Sequence, residues 1–349
     1  MSRLLPLLIV LALTSNQLRA NDSQVLSRIA FGSCAKETKP QPIWNSIVKT
    51  KPQMFLFIGD NIYGDTEDMA VLKKKWSMLG AVPGFKKLRQ TCPILATWDD
   101  HDYGANDAGV EYKKKRESQK IFLDFFNEPA DSPRRTREGI YDAKLFGPKD
   151  KRIQIILLDT RYFRSKLIKR KGKGTHALGD RGPYAVNNDK TTTLLGDAQW
   201  VWLEEQLKVP AQLRIIASSI QVIPDEHWWE KWGNFPHERE RLFKLIQKTN
   251  ANGVVFISGD RHSAEISRTG SRTGYPIYDI TSSSLNQPQD WHNELNRHRV
   301  GVKYVDINFG TIEIDWSQPD PPVSFHVRDG NGHNALLVRE TLSNLQPKK

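Results

Sequence analysis

The chain has 349 residues, and its proportions of hydrophobic (38%) and charged (26%) residues are ordinary for a globular protein. Its formal net charge of +11 is a moderate excess for this length, which would steer anionic ligands toward the surface. The basic residues fall in scattered runs without interleaved stacking aromatics, so the sequence indicates no nucleic-acid-binding module. We expect these runs to be mostly solvated surface; they lie at 73–75, 113–116, 134–137 and 169–173.

The first 20 residues have the features of a secretory signal peptide. Arg3 provides a positive start, an apolar run extends from Leu4 to Leu13, and Ala20 ends a following polar segment. The apolar run is far shorter than the ~20 residues of a membrane-spanning helix, although an uncleaved anchor is the alternative. We predict Sec-dependent export, cleavage after Ala20, a secreted or periplasmic location and no membrane span in the mature chain. Cleavage would remove two arginines and no acids, which lowers the net charge to +9.

The chain contains two cysteines, Cys34 and Cys92. In an oxidising compartment, two cysteines of an exported protein routinely form a disulfide. The sequence alone does not decide whether these two are paired.

Apolar runs of strand length, rich in Ile and Val, recur along the chain. Near-continuous runs of this kind are typical of strands that are buried on both faces of a sheet. We predict seven such strands, at 28–34, 54–60, 93–102, 153–161, 213–221, 253–262 and 275–283.

Segments with helical spacing of apolar residues separate several of these strands. We predict helices at 41–50, 117–127, 197–207 and 238–249. The alternation of strands and helices favours an α/β layered fold. Four shorter strands that extend the sheet or close a sandwich are predicted near the C-terminus, at 302–307, 311–316, 323–327 and 335–338.

Several predicted strands end in metal-ligand or proton-transfer side chains. In α/β folds the binding groups gather at the carboxyl ends of the strands, so these side chains would reach one rim of the sheet. Carboxylates and imidazoles that converge from several elements are typical of a metal site, and two adjacent ions suit displacement at phosphorus. The candidates are Cys34, Asp60, Asp100, His101, Asp260 and His262.

The order of these motifs resembles the alkaline phosphatase D (PhoD-like) family of the calcineurin-like metallophosphoesterases. The resemblance extends over about residues 28–285, and it is carried by the whole set rather than by one motif. The motifs are Phe-Gly-Ser-Cys at 31–34, Gly-Asp-Asn-Ile-Tyr at 59–63, Trp-Asp-Asp-His-Asp-Tyr-Gly at 98–104, Leu-Asp-Thr-Arg at 158–161, Gln-Trp-Val-Trp-Leu-Glu at 199–204, Ser-Ser-Ile-Gln at 218–221 and Ser-Gly-Asp-Arg-His at 258–262.

The resemblance implies a two-sheet β-sandwich flanked by helices, with metals at the carboxyl rim of the strands. We predict a single domain over residues 21–349, in which the motifs occupy 28–285 and a β-rich extension occupies 302–340. This architecture is a form of the α/β class that the strand and helix pattern indicates on its own.

The resemblance also implies roles for individual residues. Cys34 would bind one metal as a thiolate, unless it pairs with Cys92, and Asp60 would bridge two metals. The remaining implied ligands are Tyr63, Asp100, Asp260 and His262. His101 would stabilise the transition state or protonate the leaving group, with Asp100 beside it as a ligand of catalytic importance.

The implied ligand types suggest the metals. A thiolate and a phenolate suit a ferric ion better than magnesium, and oxygen-rich coordination fits calcium. We expect two metal ions, iron and calcium, with manganese, zinc or magnesium as alternatives. Four further residues are candidates for substrate or metal binding, each with a structural alternative: Asn106 and Asp107 in a turn, Arg161 in a buried ion pair, and Gln221 in a packing role.

The predicted function is an exported, metal-dependent phosphoric ester hydrolase that acts on small phosphate esters. A non-catalytic metal- or phosphate-binding protein that retains the fold is the alternative. A secreted anion-binding module that uses the basic surface is a second alternative, and it predicts anion binding that survives loss of Asp60.

Overall fold

The computed structural model describes residues 23–171, 182–270, 273–290 and 293–347. The predicted signal peptide lies outside these described residues. Across the part of the chain that is described, no helix is both long and apolar enough to span a membrane.

The first of two six-stranded sheets carries three parallel strands and three antiparallel ones. Its order is β14-β13-β12-β1-β2-β3. β1, β2 and β3 run parallel, whereas β12, β13 and β14 add to the free side of β1 in antiparallel fashion. The strands are β1 Arg28–Gly32, β2 Met54–Ile58, β3 Ile94–Thr97, β12 Asn308–Ile314, β13 Pro322–Asp329 and β14 Asn334–Thr341.

The second sheet has the order β10-β11-β9-β8-β5-β4, with a parallel centre and an antiparallel strand at each edge. A short separate hairpin is formed by β6 and β7. The strands are β4 Asp142–Phe146, β5 Ile153–Leu157, β6 Ile168–Lys169, β7 Tyr184–Ala185, β8 Leu213–Ser218, β9 Val254–Ser258, β10 Ala264–Thr269 and β11 Ile277–Ser282.

Helices cover the outer faces of both sheets. They are α1 Ile43–Lys49, α2 Met69–Ala81, α3 Pro83–Thr91, α4 Asp100–Tyr103, α5 Lys115–Phe125, α6 Gly196–Leu207 and α7 Pro236–Lys248. A side chain caps the start of α2, where Asp68 accepts the Ala70 N–H at 2.8 Å.

The central strands are apolar throughout because both of their faces are buried. Leu56 of β2 and Ile215 of β8 point into one apolar layer between the sheets. Their neighbours point outward, where Phe57 packs under the helices of the first sheet and Ile216 under those of the second. This alternation explains why the predicted strands are apolar runs rather than alternating ones.

The predicted architecture is confirmed: the fold is mixed α/β, with two large sheets flanked by helices. The seven apolar runs contain β1, β2, β3, β5, β8, β9 and β11. The run at 93–102 is shorter as a strand than we predicted, because β3 ends at Thr97 and the chain turns into α4. The sequence pattern missed α2, α3, β4 and β10.

One strand prediction in the C-terminal region is wrong. Residues 311–316, 323–327 and 335–338 correspond to β12, β13 and β14, but 302–307 forms only an isolated bridge between Tyr304 and Ala264. Lys303 within this segment forms a buried ion pair with Glu294 at 2.5 Å.

Candidate metal centre

Four candidate ligands follow the ends of three strands in the same unusual backbone conformation. The φ angles are 63° at Cys34, 49° at Asp60, 67° at Asp260 and 51° at His262. Non-glycine residues seldom adopt positive φ, and such strain is typical of functional sites where the surrounding structure enforces it. The conformation turns each side chain sharply at the rim of its sheet.

Gly59 allows one of these turns to approach a neighbouring strand end. Its φ is 109°, and a β-carbon at this position would lie 2.6 Å from the β-carbon of Asp99. Only glycine accommodates both conditions. The Gly-Asp sequence at the end of β2 therefore serves to bring Asp60 beside Asp99.

Sulfur, oxygen and nitrogen donors form the first part of the site. The Cys34 Sγ and the Tyr63 Oη each lie 3.3 Å from Oδ2 of Asp60, and the Tyr63 Oη lies 3.2 Å from Nε2 of His262. Ligand atoms of Cys34, Asp60 and His262 all lie within 4.8 Å of one another. A mixed donor set of this kind suits a transition metal.

Four carboxylates form the second part of the site. One oxygen from each of Asp60, Asp99, Asp100 and Asp260 lies within 4.8 Å of the others. An all-oxygen donor set suits a hard cation. Asp60 belongs to both groups, which is the position that a bridging carboxylate requires. We call the two groups together the metal centre. A third group within the same distance joins Asp60 and Asp100 to a ring nitrogen of His101.

Burial makes the charges of the metal centre hard to sustain without cations. Burial, with the nearby Cys34, raises the pKa of Asp60 well above its ordinary value. Burial, with the neighbouring Asp99 and Asp100, does the same for Asp260. Oδ1 of Asp60 is also buried without a hydrogen-bond partner. A bound cation would satisfy that atom and stabilise the carboxylates together, so the residues present fit a metal site.

The cysteines are free thiols in the structure, and both are buried. The disulfide alternative between Cys34 and Cys92 is therefore not formed. Burial raises the pKa of Cys34 to about 11, so the thiol form is favoured until a cation stabilises the thiolate. Ser283, just after β11, approaches the Cys34 Sγ at 3.2 Å and accepts the N–H groups of Arg261 and His262.

His101 lies at the edge of the metal centre and is held by an acid that the sequence pattern did not identify. Its Nδ1 lies 2.8 Å from Oδ1 of Asp65. Burial opposes the charged imidazolium, but the negative charges of Asp100 and Asp60 outweigh burial and raise the pKa of His101 to about 11. The ring also packs against Tyr63, with 4.2 Å between the ring centroids. Asp65 and Tyr63 thus orient the imidazole.

A cavity of about 180 Å³ opens beside these groups. Its lining residues are Asp100, His101, Asn106, Asp107, Trp229, Glu230, Asp260, Arg261, His262 and Gln289. The structure brings the candidate Asn106 and Asp107 to this cavity. The backbone N–H of Asp107 donates to Asp100 at 2.6 Å, and its carboxylate accepts from Tyr184 at 2.5 Å and Asn106 at 2.6 Å.

Two other candidates lie in buried polar networks instead. Arg161 is fully buried and pairs with Asp99 at 2.5 Å and with Glu230 at 2.6 Å. This is the structural alternative for Arg161, a buried ion pair. The Gln221 amide donates to Glu265 and Thr281, and its carbonyl oxygen lies 2.9 Å from His227. Neither residue lines the cavity beside the metal centre.

A buried ion network supports the loop between Asp260 and His262, and it was missed from the sequence. Arg261 pairs with Glu294 at 2.5 Å, and Glu294 also pairs with Lys303 at 2.5 Å. These partners are more than 30 residues from Arg261 along the chain, so no local pattern connects them. Asp99 was also missed as a metal-site residue, although it stands directly before Asp100 in the Asp-Asp-His motif.

The family model of PhoD-like phosphatases matches residues 73–316, which is more than half of the chain. The chain belongs to the PhoD-like phosphatase family. It is thus a phosphoric ester hydrolase, and its metal-dependent chemistry is that of a phosphoesterase. The matched region begins after Cys34, Asp60 and Tyr63, so the placement of those three residues rests on the structure.

Solved structures show the same fold at low sequence identity. A structure of PhoD has a TM-score of 0.69 at 18% identity and covers 92% of this chain and 73% of that one. The purple acid phosphatase PPD1 of yellow lupin (Lupinus luteus) has a TM-score of 0.61 at 12% identity, with coverages of 91% and 54%. GAP50, the anchor in the inner membrane complex of Plasmodium, has a TM-score of 0.55 at 14% identity, with coverages of 93% and 90%. Comparison with curated proteins gives no significant sequence match.

Proposed function

We propose that this PhoD-like phosphatase hydrolyses small phosphate esters at two metal ions that share Asp60. The observation that carries the proposal is the pair of donor groups, one mixed and one all-oxygen, that meet at this single carboxylate. Two ions bound there would supply Lewis-acid chemistry, by withdrawing charge from the phosphate and making water a stronger nucleophile.

The donor chemistry favours different ions in the two parts of the metal centre. Cys34, Tyr63 and His262 would hold an iron ion with Asp60. The carboxylates of Asp60, Asp99, Asp100 and Asp260 would hold calcium, which takes oxygen ligands. Manganese, zinc and magnesium are the alternatives.

His101 is the residue that would donate a proton to the leaving oxygen. It lines the cavity, and the nearby carboxylates of Asp100, Asp60 and Asp65 raise its pKa, which favours the protonated imidazole that a general acid requires. The hydrogen bond from Nδ1 to Asp65 leaves Nε2 as the donor toward the cavity. Asp65 would act by holding the ring in this orientation.

Arg261 is the residue that would hold the substrate phosphate. Among the described residues, it is the only lysine or arginine that lines the cavity. Its guanidinium is almost fully buried, and its Nε has no hydrogen-bond partner. A phosphate oxygen at that position would complete the contacts of Arg261, and guanidinium–phosphate pairs are strong. Asn106 and Asp107, on the same cavity, are candidates to contact the leaving group.

A non-catalytic role is the alternative, and the fold alone does not decide against it. A structural relative with the same fold is described as an anchor in a membrane complex. The presence of the complete donor set, with a histidine and an arginine at the same cavity, favours catalysis in this chain.

The test is hydrolysis of para-nitrophenyl phosphate and bis(para-nitrophenyl) phosphate by the mature protein. Assays with calcium and added iron, manganese or zinc should give metal-dependent turnover, and Asp60→Asn should abolish it. Asp320→Asn, a substitution of an exposed acid, is the matched control and should retain full turnover. Absence of turnover of both esters in every metal condition would contradict the proposal.

Export is a separate proposal, supported by the signal-peptide features of residues 1–20. Expression of the full chain in a bacterial host, followed by fractionation, should give a shortened protein outside the cytoplasm. N-terminal sequencing of that protein should begin at Asn21. A full-length protein retained in the cytoplasm would contradict export.

A further inference from the structure

Two basic runs that we expected to be separate solvated surface meet at a second cavity. This basic cavity has a volume of about 350 Å³. Its lining residues are Arg116, Gln119, Lys120, Leu123, Arg135 and Arg137. The first four share one face of α5 by their spacing, and the other two come from the segment that follows. None of them lines the cavity beside the metal centre.

Two of the four cations are balanced by acids at the rim. Arg116 pairs with Glu138 at 2.9 Å, and Arg135 pairs with Asp124 at 2.7 Å. These acids stand outside the set of residues that line the cavity. They neutralise their own partners and leave the other cations without a countercharge.

The other two cations have no acidic partner in the part of the chain that the structure describes. Lys120 is exposed and forms no ion pair there. Nε and Nη2 of Arg137 are buried and have no acceptor among the described residues. The Arg137 guanidinium lies against the ring of Tyr141, 3.9 Å from its centroid, which covers one face. Buried donors without acceptors destabilise a protein, and an anion in the cavity beside the same guanidinium would offset part of this cost through its charge.

The backbone that carries Arg137 is fixed to α5, so the cavity is already formed. The Gln119 amide donates to the carbonyl oxygens of Arg134 at 2.7 Å, Arg137 at 2.9 Å and Gly139 at 3.2 Å. Gln119 is itself buried. A ligand at this cavity would therefore not need to order the loop first.

We propose that the basic cavity is a second ligand site, which binds a phosphate-type oxyanion. The two unbalanced cations, Lys120 and Arg137, match the charge of a dianionic phosphate group. Several phosphate oxygens can accept hydrogen bonds from cations on different sides of a cavity, and arginine is well suited to this recognition. Free inorganic phosphate and the headgroup of a phospholipid share this chemistry. The site would act independently of the metal centre.

The first test measures binding of inorganic phosphate to the Asp60→Asn protein by isothermal titration calorimetry, at about 0.15 M salt. In this variant the metal centre is impaired, and we expect about one phosphate per chain to remain bound. Lys120→Glu, added to it, should weaken that binding at least tenfold. The matched control is Lys86→Glu, the same charge reversal at an exposed lysine of α3, and it should have no effect.

The second test identifies the source of the phosphate group. It compares sedimentation of the mature protein with vesicles of phosphatidylglycerol and of phosphatidylcholine. Vesicle binding that Lys120→Glu removes, without binding of inorganic phosphate, would assign a lipid headgroup to the site. Binding of inorganic phosphate that Lys120→Glu removes would assign free phosphate.

The proposal is overturned if neither probe binds, or if Lys120→Glu and Lys86→Glu affect binding equally. Since Lys120 is exposed, Lys120→Glu should not unfold the chain, and circular dichroism should confirm this. Arg137→Lys provides a second variant, which keeps the charge but loses the planar donors. It should bind phosphate more weakly than the parent protein.

Discussion

The metal centre and the basic cavity have opposite charges but share one feature: the chain leaves part of the charge in each region uncompensated. In the metal centre, burial raises the pKa values of Asp60 and Asp260. In the basic cavity, two donors of Arg137 are buried without acceptors. An uncompensated charge of either sign therefore marks a ligand site, a cation site in the first region and an anion site in the second.

A third region, around Glu265, contains a buried charge that other residues of the chain balance. Glu265 is buried but pairs with Arg299 at 2.6 Å. Burial opposes its ionisation, yet the positive charges of Lys303 and Arg299 lower its pKa to about 2. Basic residues of the chain thus balance the charge of Glu265. This network stabilises the loop beside the metal centre rather than binding a ligand.

Apart from Asp60→Asn, the largest effect on turnover is expected for His101→Gln, which removes the proposed proton donor. Loss of a general acid lowers kcat by about 10²–10⁴-fold. Metal content should be unchanged, because in this proposal the imidazole donates a proton, even though a ring nitrogen of His101 lies within 4.8 Å of ligand oxygens of Asp60 and Asp100. Steady-state kinetics with elemental analysis of the same preparations would check this. A variant that loses its metals in parallel with its turnover would show that His101 is a ligand instead.

Asp65→Asn should act only through His101. Alone it should reduce kcat by about tenfold, and in the His101→Gln protein it should have no further effect. This double-mutant cycle would be contradicted by additive losses, which would give Asp65 a separate role.

Glu265→Gln should change the pH dependence of stability. The ordinary pKa of 4.5 falls to about 2 in the folded protein, so the ion pairs stabilise the fold fully above about pH 4.5. That stabilisation is lost as the pH falls toward 2, and it amounts to on the order of 3 kcal/mol. Urea unfolding between pH 5 and pH 2 should give a shallower slope for Glu265→Gln than for the parent. Identical slopes would contradict the pairing.

Arg261→Gln should weaken substrate binding at the metal centre. The loss of one charge-assisted hydrogen bond, worth about 1.5–3 kcal/mol, would reduce kcat/KM by about 10–100-fold. Inhibition by inorganic phosphate should weaken in parallel, while Arg261→Lys should recover part of both. If kcat/KM falls but phosphate inhibition does not change, Arg261 only supports the loop between Asp260 and His262.

The smallest effect is expected for Lys120→Glu on hydrolysis. A surface substitution away from the reaction should change kcat/KM by no more than about twofold. Kinetics with para-nitrophenyl phosphate would check this at the same salt concentration as the phosphate titration. A large loss of turnover would contradict the proposal that the basic cavity acts independently of the metal centre.

The sequence predicts the α/β class well because apolar runs are local patterns, and the family resemblance adds the two-sheet arrangement; the candidate ligands that it names lie close together in the structure. Apolar runs mark strands buried on both faces, and Cys34, Asp60 and His262 stand at their carboxyl ends. The sequence pattern did not predict α2 and α3, because their apolar residues are interspersed with lysines and small residues.

The supporting residues were harder to predict because their partners are distant in the chain. Glu294 pairs with Arg261 across 33 residues of the chain, and Asp65 contacts His101 across 36 residues. The basic cavity needs α5 and Arg137 to come together, which no local pattern indicates. The spacing at 302–307 also suggested a strand, but only the isolated bridge between Tyr304 and Ala264 forms there.

The most direct test of the metal centre is the metal content of the mature protein, measured by mass spectrometry alongside hydrolysis of para-nitrophenyl phosphate. The shared carboxylate predicts about two ions per chain in the parent protein and in Lys120→Glu. It predicts fewer ions and no turnover in Asp60→Asn. Full turnover by chelator-treated, metal-free protein, or an Asp60→Asn variant that keeps both ions and its activity, would contradict it.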